Sequence, residues 1–224
     1  MTMMTYIKTF LITCFIISSS FIQAQSVRVD STRFTINHGD LTFYLDNDTA
    51  SFVSVHQVTY KEVIQLDGKR SDKWHKEKPF GPYNREAYQK SGYDLGHLTP
   101  SNITSYNDTL NYHSFSFFNQ APQLAGFNRG RWSQLENQVE QLILKKKTDA
   151  IVITGVIYDN NKKTYLGKSR IKIPIAYYKI VVFNKKKVYA WMGSNINGAI
   201  TKTDIKTIVK IANQNGNKLN LRIR

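Results

Sequence analysis

Asp94-Leu95-Gly96-His97 places an imidazole directly after a glycine, at the end of a strand-like run and before the turn at Thr99-Pro100. A ring so placed is offered to a cleft rather than enclosed in a sheet, and its near-neutral pKa suits a general base. Downstream, Asn119 closes an apolar run, Asn128 opens a helical segment and Glu136 lies eight positions further along it. On a regular helix Asn128 and Glu136 stand about 80° apart around the axis and ~12 Å apart along it, so they can border one cavity. Amide and carboxylate oxygens are hard donors, appropriate to a magnesium-like ion that keeps most of its waters. Taken singly, these residues have plainer uses. A lone histidine is more often structural, an asparagine at a helix start is commonly an N-cap, and a lone glutamate is usually a solvated helix face.

The elements that must position them follow from hydrophobic period and turn chemistry. Residues 33 to 60 carry the strand-like runs FTINH, LTFYL and SFVSVHQVTY, separated by the turn-prone HGD and DNDT. Residues 67 to 92 are polar and contain prolines and glycines, which reads as a long surface excursion of the kind that carries function on a rigid scaffold. SFSFFN, residues 114 to 119, reads as a short buried strand. Trp132, Leu135, Val139 and Leu142 then recur at helical spacing, predicting a helix from near Asn128 to Lys145-Lys146-Lys147, whose charges suit the negative end of the helix dipole. AIVITGVIY, RIKIPIAYYKIVVF and KVYAWMG are three further strand-like runs, and a last helix is predicted over Thr203 to Asn213, with Thr201 and Asp204 at capping-box spacing. Strands, a central helix, strands again and a terminal helix make a single mixed α+β domain.

Composition narrows the chemistry. Lys8 precedes an apolar run from Phe10 to Ile22, with small or polar residues around Ala24, the pattern of a secretory signal peptide over residues 1–25. The run is short for a spanning helix and is broken by Ser18, Ser19 and Ser20, so cleavage, no stable membrane association afterwards, and a secreted or periplasmic location are expected. Cleavage removes Lys8 and no acid, leaving 30 lysines and arginines against 16 acids, a net charge of +14 over residues 26–224. It also removes Cys14, the only cysteine, which excludes disulfides, thiol catalysis and thiolate metal sites from the mature chain. A positive surplus of this size draws polyanions, of which nucleic acid is the commonest, although acidic glycans and anionic membranes are attracted by the same field.

The combination of motifs resembles the DNA/RNA non-specific endonuclease family, the ββα-metal (His-Me finger) nucleases of the endonuclease G type. The family's Asp-Arg-Gly-His core aligns with Asp94-Leu95-Gly96-His97, its Asn-x-x-Pro-Gln segment with Asn119-Gln120-Ala121-Pro122-Gln123, and its Asn-x-Gly-x-Trp-x-x-Leu-Glu stretch with Asn128 through Glu136. A weaker likeness runs from about Leu41 to Asn195 and includes VITGVIY and IPIAYYKIVV.

The resemblance implies a mixed antiparallel sheet with helices and an enzyme that hydrolyses phosphodiester bonds in DNA and RNA, leaving 5′-phosphate ends. It implies that His97 is the general base, that Asn128 is the one protein ligand of a magnesium or manganese ion, that Glu136 holds metal-bound water, and that Asn119 supports the site. Arg70 aligns with the family arginine that contacts the scissile phosphate, with Lys69, Lys73 and Arg85 as neighbouring alternatives in the excursion. The motif arginine is replaced by Leu95, and Arg129 and Arg131, flanking Gly130, are candidates to supply the missing charge. DNA and RNA are the partners implied, and no inhibitor protein is specified. Two rival readings stand beside this one: a nucleic-acid or acidic-glycan binding protein of the same fold with impaired catalysis, and a phosphodiesterase for a narrower substrate.

Overall fold

A computed structural model describes residues 27–223 other than 31, 33, 49, 79, 80, 82, 185 and 186, so the expected signal peptide lies outside the described residues. The chain runs β1 (Val27–Asp30), β2 (Phe34–His38), β3 (Leu41–Leu45), β4 (Ser51–Val58), α1 (Tyr60–Val63) and β5 (Tyr93–His97). It continues through α2 (Asp108–Ser114), β6 (Gln120–Leu124), α3 (Ala125–Phe127), a π-helical turn (Asn128–Trp132), α4 (Ser133–Lys146) and β7 (Ala150–Ile157). The remaining elements are β8 (Ala176–Phe183), β9 (Lys187–Ser194), β10 (Ile200–Thr203), α5 (Ile205–Gln214) and β11 (Asn220–Ile223). Seven strands form one antiparallel sheet in the order β10-β9-β8-β7-β4-β3-β2, while β1 pairs with β11 and β5 with β6 as separate ribbons. Among the described residues no helix is long and apolar enough to cross a membrane.

The central strands are apolar in long runs because both faces of the sheet are covered, and β7 and β8 are buried at every position. Period-two alternation divides them cleanly. Val152, Val156, Tyr177 and Val181 pack under α4 with Trp132, Leu135, Val139 and Ile143, whereas Ile151, Ile153, Tyr178, Ile180 and Val182 meet Ile208 and Ala212 of α5 on the other face. The same alternation puts Ser54, His56, Thr154 and Lys179 on the α4 side, where Ser54 pairs with Thr154 and Thr154 with Lys179 across three adjacent strands. A polar row thus crosses an otherwise apolar face, directly beneath the elements that carry His97 and Glu136.

Several boundaries differ from the sequence reading. SFSFFN is not a strand: Ser114 ends α2, Ser116 makes an isolated parallel bridge to His75, and Phe117–Asn119 is a 3-10 turn capped by the Ser116 side chain. RIKIPIAYYKIVVF becomes strand only from Ala176, because Pro174 has no N–H for the ladder. SFVSVHQVTY stops at Val58, where Thr59 forms a capping box with Glu62 and starts α1. At the last helix the cap is Asp204 itself, which accepts from the Thr207 N–H, and Thr201 lies in β10. In α4 the fourth core position is Ile143 rather than the half-buried Leu142.

Candidate active site

β5 and β6 form a short antiparallel ribbon in which Gly96 faces Ala121 and His97 faces Gln120. Gly96 is required by a close approach: a Cβ there would come within 2.3 Å of Gln123 Oε1 and 2.5 Å of Gln123 Cβ. Gln123 is fully buried, so there is no space for it to withdraw into. The residues after His97 are then fastened by Asn119. Its backbone oxygen accepts from the Leu98 N–H (2.8 Å), its Oδ1 from the Thr99 N–H (2.9 Å), and its Nδ2 donates to the carbonyls of Thr99 and Ser114 (2.8 Å each). Asn119 therefore lies behind the site, saturated and enclosed, as a positioning residue that fixes where the His97 strand ends.

The His97 ring is walled by Phe115, edge-on at 4.9 Å, and by Trp74 from the polar excursion, at 4.7 Å. Its Nε2 is buried without a hydrogen-bond partner in the structure. Burial, and next the positive charge of Arg70, push its pKa down to about 3. The imidazole is neutral at neutral pH and can accept a proton.

Asn128 is the first residue of the π-helical turn, not an N-cap: its φ and ψ of −56° and −55° are helical and the helical run already begins at Ala125. Freed from capping, its Nδ2 donates to Asp94 Oδ2 at 2.9 Å, while Arg129 pairs with the same carboxylate through Nε (2.9 Å) and Nη2 (2.6 Å). Burial pulls the Asp94 carboxyl upward, but hydrogen bonds from Arg129 and Asn128 and the Arg129 charge outweigh it and hold the group below its usual range. Gly130, at φ −107° and ψ −107°, is non-helical and kinks the run between Asn128 and Glu136. The separation of about 80° expected on one straight helix therefore does not carry across the kink, and both residues line the same cleft.

Glu136 lies over the polar row of the sheet. Its Oε1 is 3.8 Å from Lys179 Nζ, which also donates to Thr154 Oγ1 at 2.8 Å and lies 5.1 Å from the Trp132 ring centre. Burial raises the Glu136 carboxyl against the pull of Lys179, and burial lowers the Lys179 ammonium against the pull of Glu136. His56, next to them with both ring nitrogens unpartnered, is held down to about 3 by burial and then by the Lys179 charge.

These groups line one cleft of about 430 Å³, shared by His97, Asn128, Glu136, Arg70, Asp94 and Arg129. Arg70 reaches it with its Nη1 donating to Ser101 Oγ (2.7 Å) and its guanidinium 5.3 Å from the Phe115 ring centre, while Lys69, Lys73 and Arg85 do not line it. Of the residues singled out by sequence, Asn119 and Arg131 are not brought to the cleft; Arg131 is exposed outside it. Lys179, His56, Trp74 and Ser101 line the cleft and went unassigned. For Lys179 a signal existed, since a single lysine interrupts the apolar run IAYYKIVVF.

A family model for DNA/RNA non-specific endonucleases matches residues 20–221. The chain belongs to the DNA/RNA non-specific endonuclease family. Relatives of this family chain include the mitochondrial endonuclease G of Caenorhabditis elegans, 28% identical over 106 residues, and the mitochondrial nuclease EXOG of Danio rerio, 30% identical over 111. These alignments cover 43% and 46% of this chain and 34% and 32% of theirs, so the chain spans about a third of the length of those curated relatives. A nuclease of Nostoc sp. is 29% identical over 118 residues, 53% of this chain and 40% of that one. The fold matches a chain in the crystal structure of the EndoG/EndoGI complex with a TM-score of 0.68 at 21% identity, covering 80% of this chain and 83% of the other. The ββα-metal architecture expected from the motifs is thereby established.

Proposed function

We propose that this family member is a metal-dependent endonuclease that hydrolyses phosphodiester bonds in DNA and RNA with little sequence preference, leaving 5′-phosphate ends. The observation that carries the reading is the convergence of His97, Asn128, Glu136 and Arg70 on one cleft from three separate segments. Asn128 commits its amide NH2 to Asp94, which turns the amide oxygen into the free donor, and the Glu136 carboxylate adds a second hard oxygen nearby. That donor set fits magnesium or manganese, which Asn128 would hold directly and Glu136 through water. Bound there, the ion supplies Lewis-acid stabilisation of the charge that builds on the phosphate and the departing oxygen.

The chain's own groups supply the rest. Neutral His97 takes the proton of the attacking water. Arg70, steadied by Ser101, binds a phosphate oxygen and meets the charge that develops in the transition state. Lys179 lies beneath Glu136 and favours its ionised form at the floor of the cleft. Leu95 adds no charge, and Arg129 is the second arginine at the cleft. None of these contacts calls for a ribose 2′-hydroxyl or reads a base edge, which is the basis for proposing both nucleic acids as substrates. The signal-peptide pattern of residues 1–25 supports a secreted or periplasmic location.

The test is to incubate the mature protein and its His97→Ala variant with plasmid DNA, single-stranded RNA and small phosphodiesters, with and without chelator. Cleavage of both polymers that needs His97 and divalent metal is the expected result. Binding without cleavage would identify a binding protein, and cleavage confined to small diesters a narrower phosphodiesterase.

A further inference from the structure

Three of the chain's five histidines gather around one glutamate away from the cleft. We infer that His38, His75, Glu77 and His113 form a second metal site, for a zinc-class transition ion, that fastens the polar excursion to the sheet. His38 ends β2, His75 and Glu77 lie in the excursion, and His113 is on α2, so the four residues come from three segments remote in sequence. One ligand atom each from His38, Glu77 and His113 lie within 4.8 Å of one another. Glu77 Oε2 is 2.9 Å from His38 Nε2, and its Oε1 is 3.0 Å from His75 Nε2 and 3.6 Å from His113 Nδ1. Adjacent ligands around a tetrahedral zinc are about 3.4 Å apart, given bonds of about 2.0–2.1 Å, so small shifts of these side chains admit an ion.

The surroundings favour a ligand set over a chance cluster. All four side chains are largely enclosed, with relative exposures between 15% and 23%. His113 Nδ1 is buried with no hydrogen-bond partner in the structure, an unspent nitrogen aimed at the carboxylate. His113 stacks on His38 at 3.6 Å with 15° between the planes, so one of these rings must turn out of the stack for both to meet one ion, while His75 stacks on Tyr112 at 4.0 Å. Nitrogen-rich ligation selects zinc-like ions, in contrast to the oxygen donors of Asn128 and Glu136. The consequence for the cleft is indirect: His75 adjoins Trp74, which packs against His97, so an ion here steadies one wall of the site.

Cobalt(II) is a suitable probe, because a tetrahedral site with nitrogen ligands gives it intense visible absorption. Chelator-treated mature protein without a polyhistidine tag should bind one equivalent and develop that absorption, displaced by zinc and not by magnesium. The band should be lost in His113→Asn and in His38→Gln, and persist in Asn128→Ala; zinc should raise the melting temperature of the parent and not of the two histidine variants. The inference is overturned if the parent shows no such band, if the band survives in the folded double variant, or if Asn128→Ala abolishes it. Because the readout is spectroscopic, it stands apart from whether the protein cleaves nucleic acid.

Discussion

Asp94 holds Asn128 by its amide: Nδ2 donates to Oδ2 at 2.9 Å, so the amide can present only its oxygen to the cleft. A partner of this kind orients a metal ligand without touching the metal. Asp94→Ala should therefore weaken metal affinity, and activity at limiting metal, by roughly 10–100-fold, the range typical of such partners. Activity measured across a magnesium titration checks this. An unchanged half-saturating concentration would show that Asn128 needs no such support.

His97 is depressed to about 3 by burial and by Arg70, so it stays unprotonated well below pH 6.5, where an ordinary histidine is half charged. The His97 imidazole, followed by NMR, should accordingly titrate below pH 6.5, whereas the acid limb of kcat/KM also carries Glu136, whose carboxyl burial raises. Arg70→Gln removes the nearby positive charge and should move the His97 titration upward while lowering the rate. A His97 titration near 6.5 that ignores the Arg70 substitution would contradict the described environment.

Stability should carry its own pH signature. His56 and His97 are each near 3 in the folded protein, against about 6.5 for an unfolded histidine. Between those values the unfolded chain binds more protons, so the stabilising contribution is complete above pH 6.5 and is lost as pH falls toward 3. The slope is about 1.4 kcal/mol per pH unit for each group. Denaturant unfolding at several pH values should show it, and His56→Leu should flatten the dependence; an unchanged slope in that variant would count against a buried neutral His56.

Asn119→Ala removes three side-chain hydrogen bonds and leaves the Thr99 N–H and the Thr99 and Ser114 carbonyls without them. The expected cost is roughly 3 kcal/mol, since stranded buried groups forfeit more than the bond itself. Denaturant titration reads the stability and kcat reads the displaced His97 strand. A variant with parental stability and reduced kcat would instead argue that Asn119 acts on the chemistry.

Arg129 is the more exposed of the two arginines at the cleft, and its removal also uncovers the Asp94 carboxylate. Arg129→Ala should raise KM several-fold and reduce the slope of log affinity against log salt by about one, with kcat less affected. Arg131→Ala, outside the cleft, should do less. Equal effects from both would indicate diffuse attraction rather than a phosphate contact at Arg129.

Much of the protein is determined locally. The alternating run of β3, the period of α4, and the glycine before His97 each answer to backbone geometry or to immediate neighbours, and they are legible in the residues alone. So were the net charge and the chemical types of His97, Asn128, Glu136 and Arg70. What tertiary structure decided is whatever depends on elements far apart in sequence. The depressed pKa of His97 requires Trp74 and Phe115 to enclose it, and no local pattern places them there. Lys179 became part of the cleft because β8 lies beside β7 under α4, which turned a lysine in an apolar strand into the neighbour of Glu136. The kink at Gly130 is a further case, because its non-helical backbone interrupts the run that a regular helical period predicts. Sequence specifies which groups are available and how each segment turns; their distances, burial and charge states arise only when segments remote in the chain exclude water from one another.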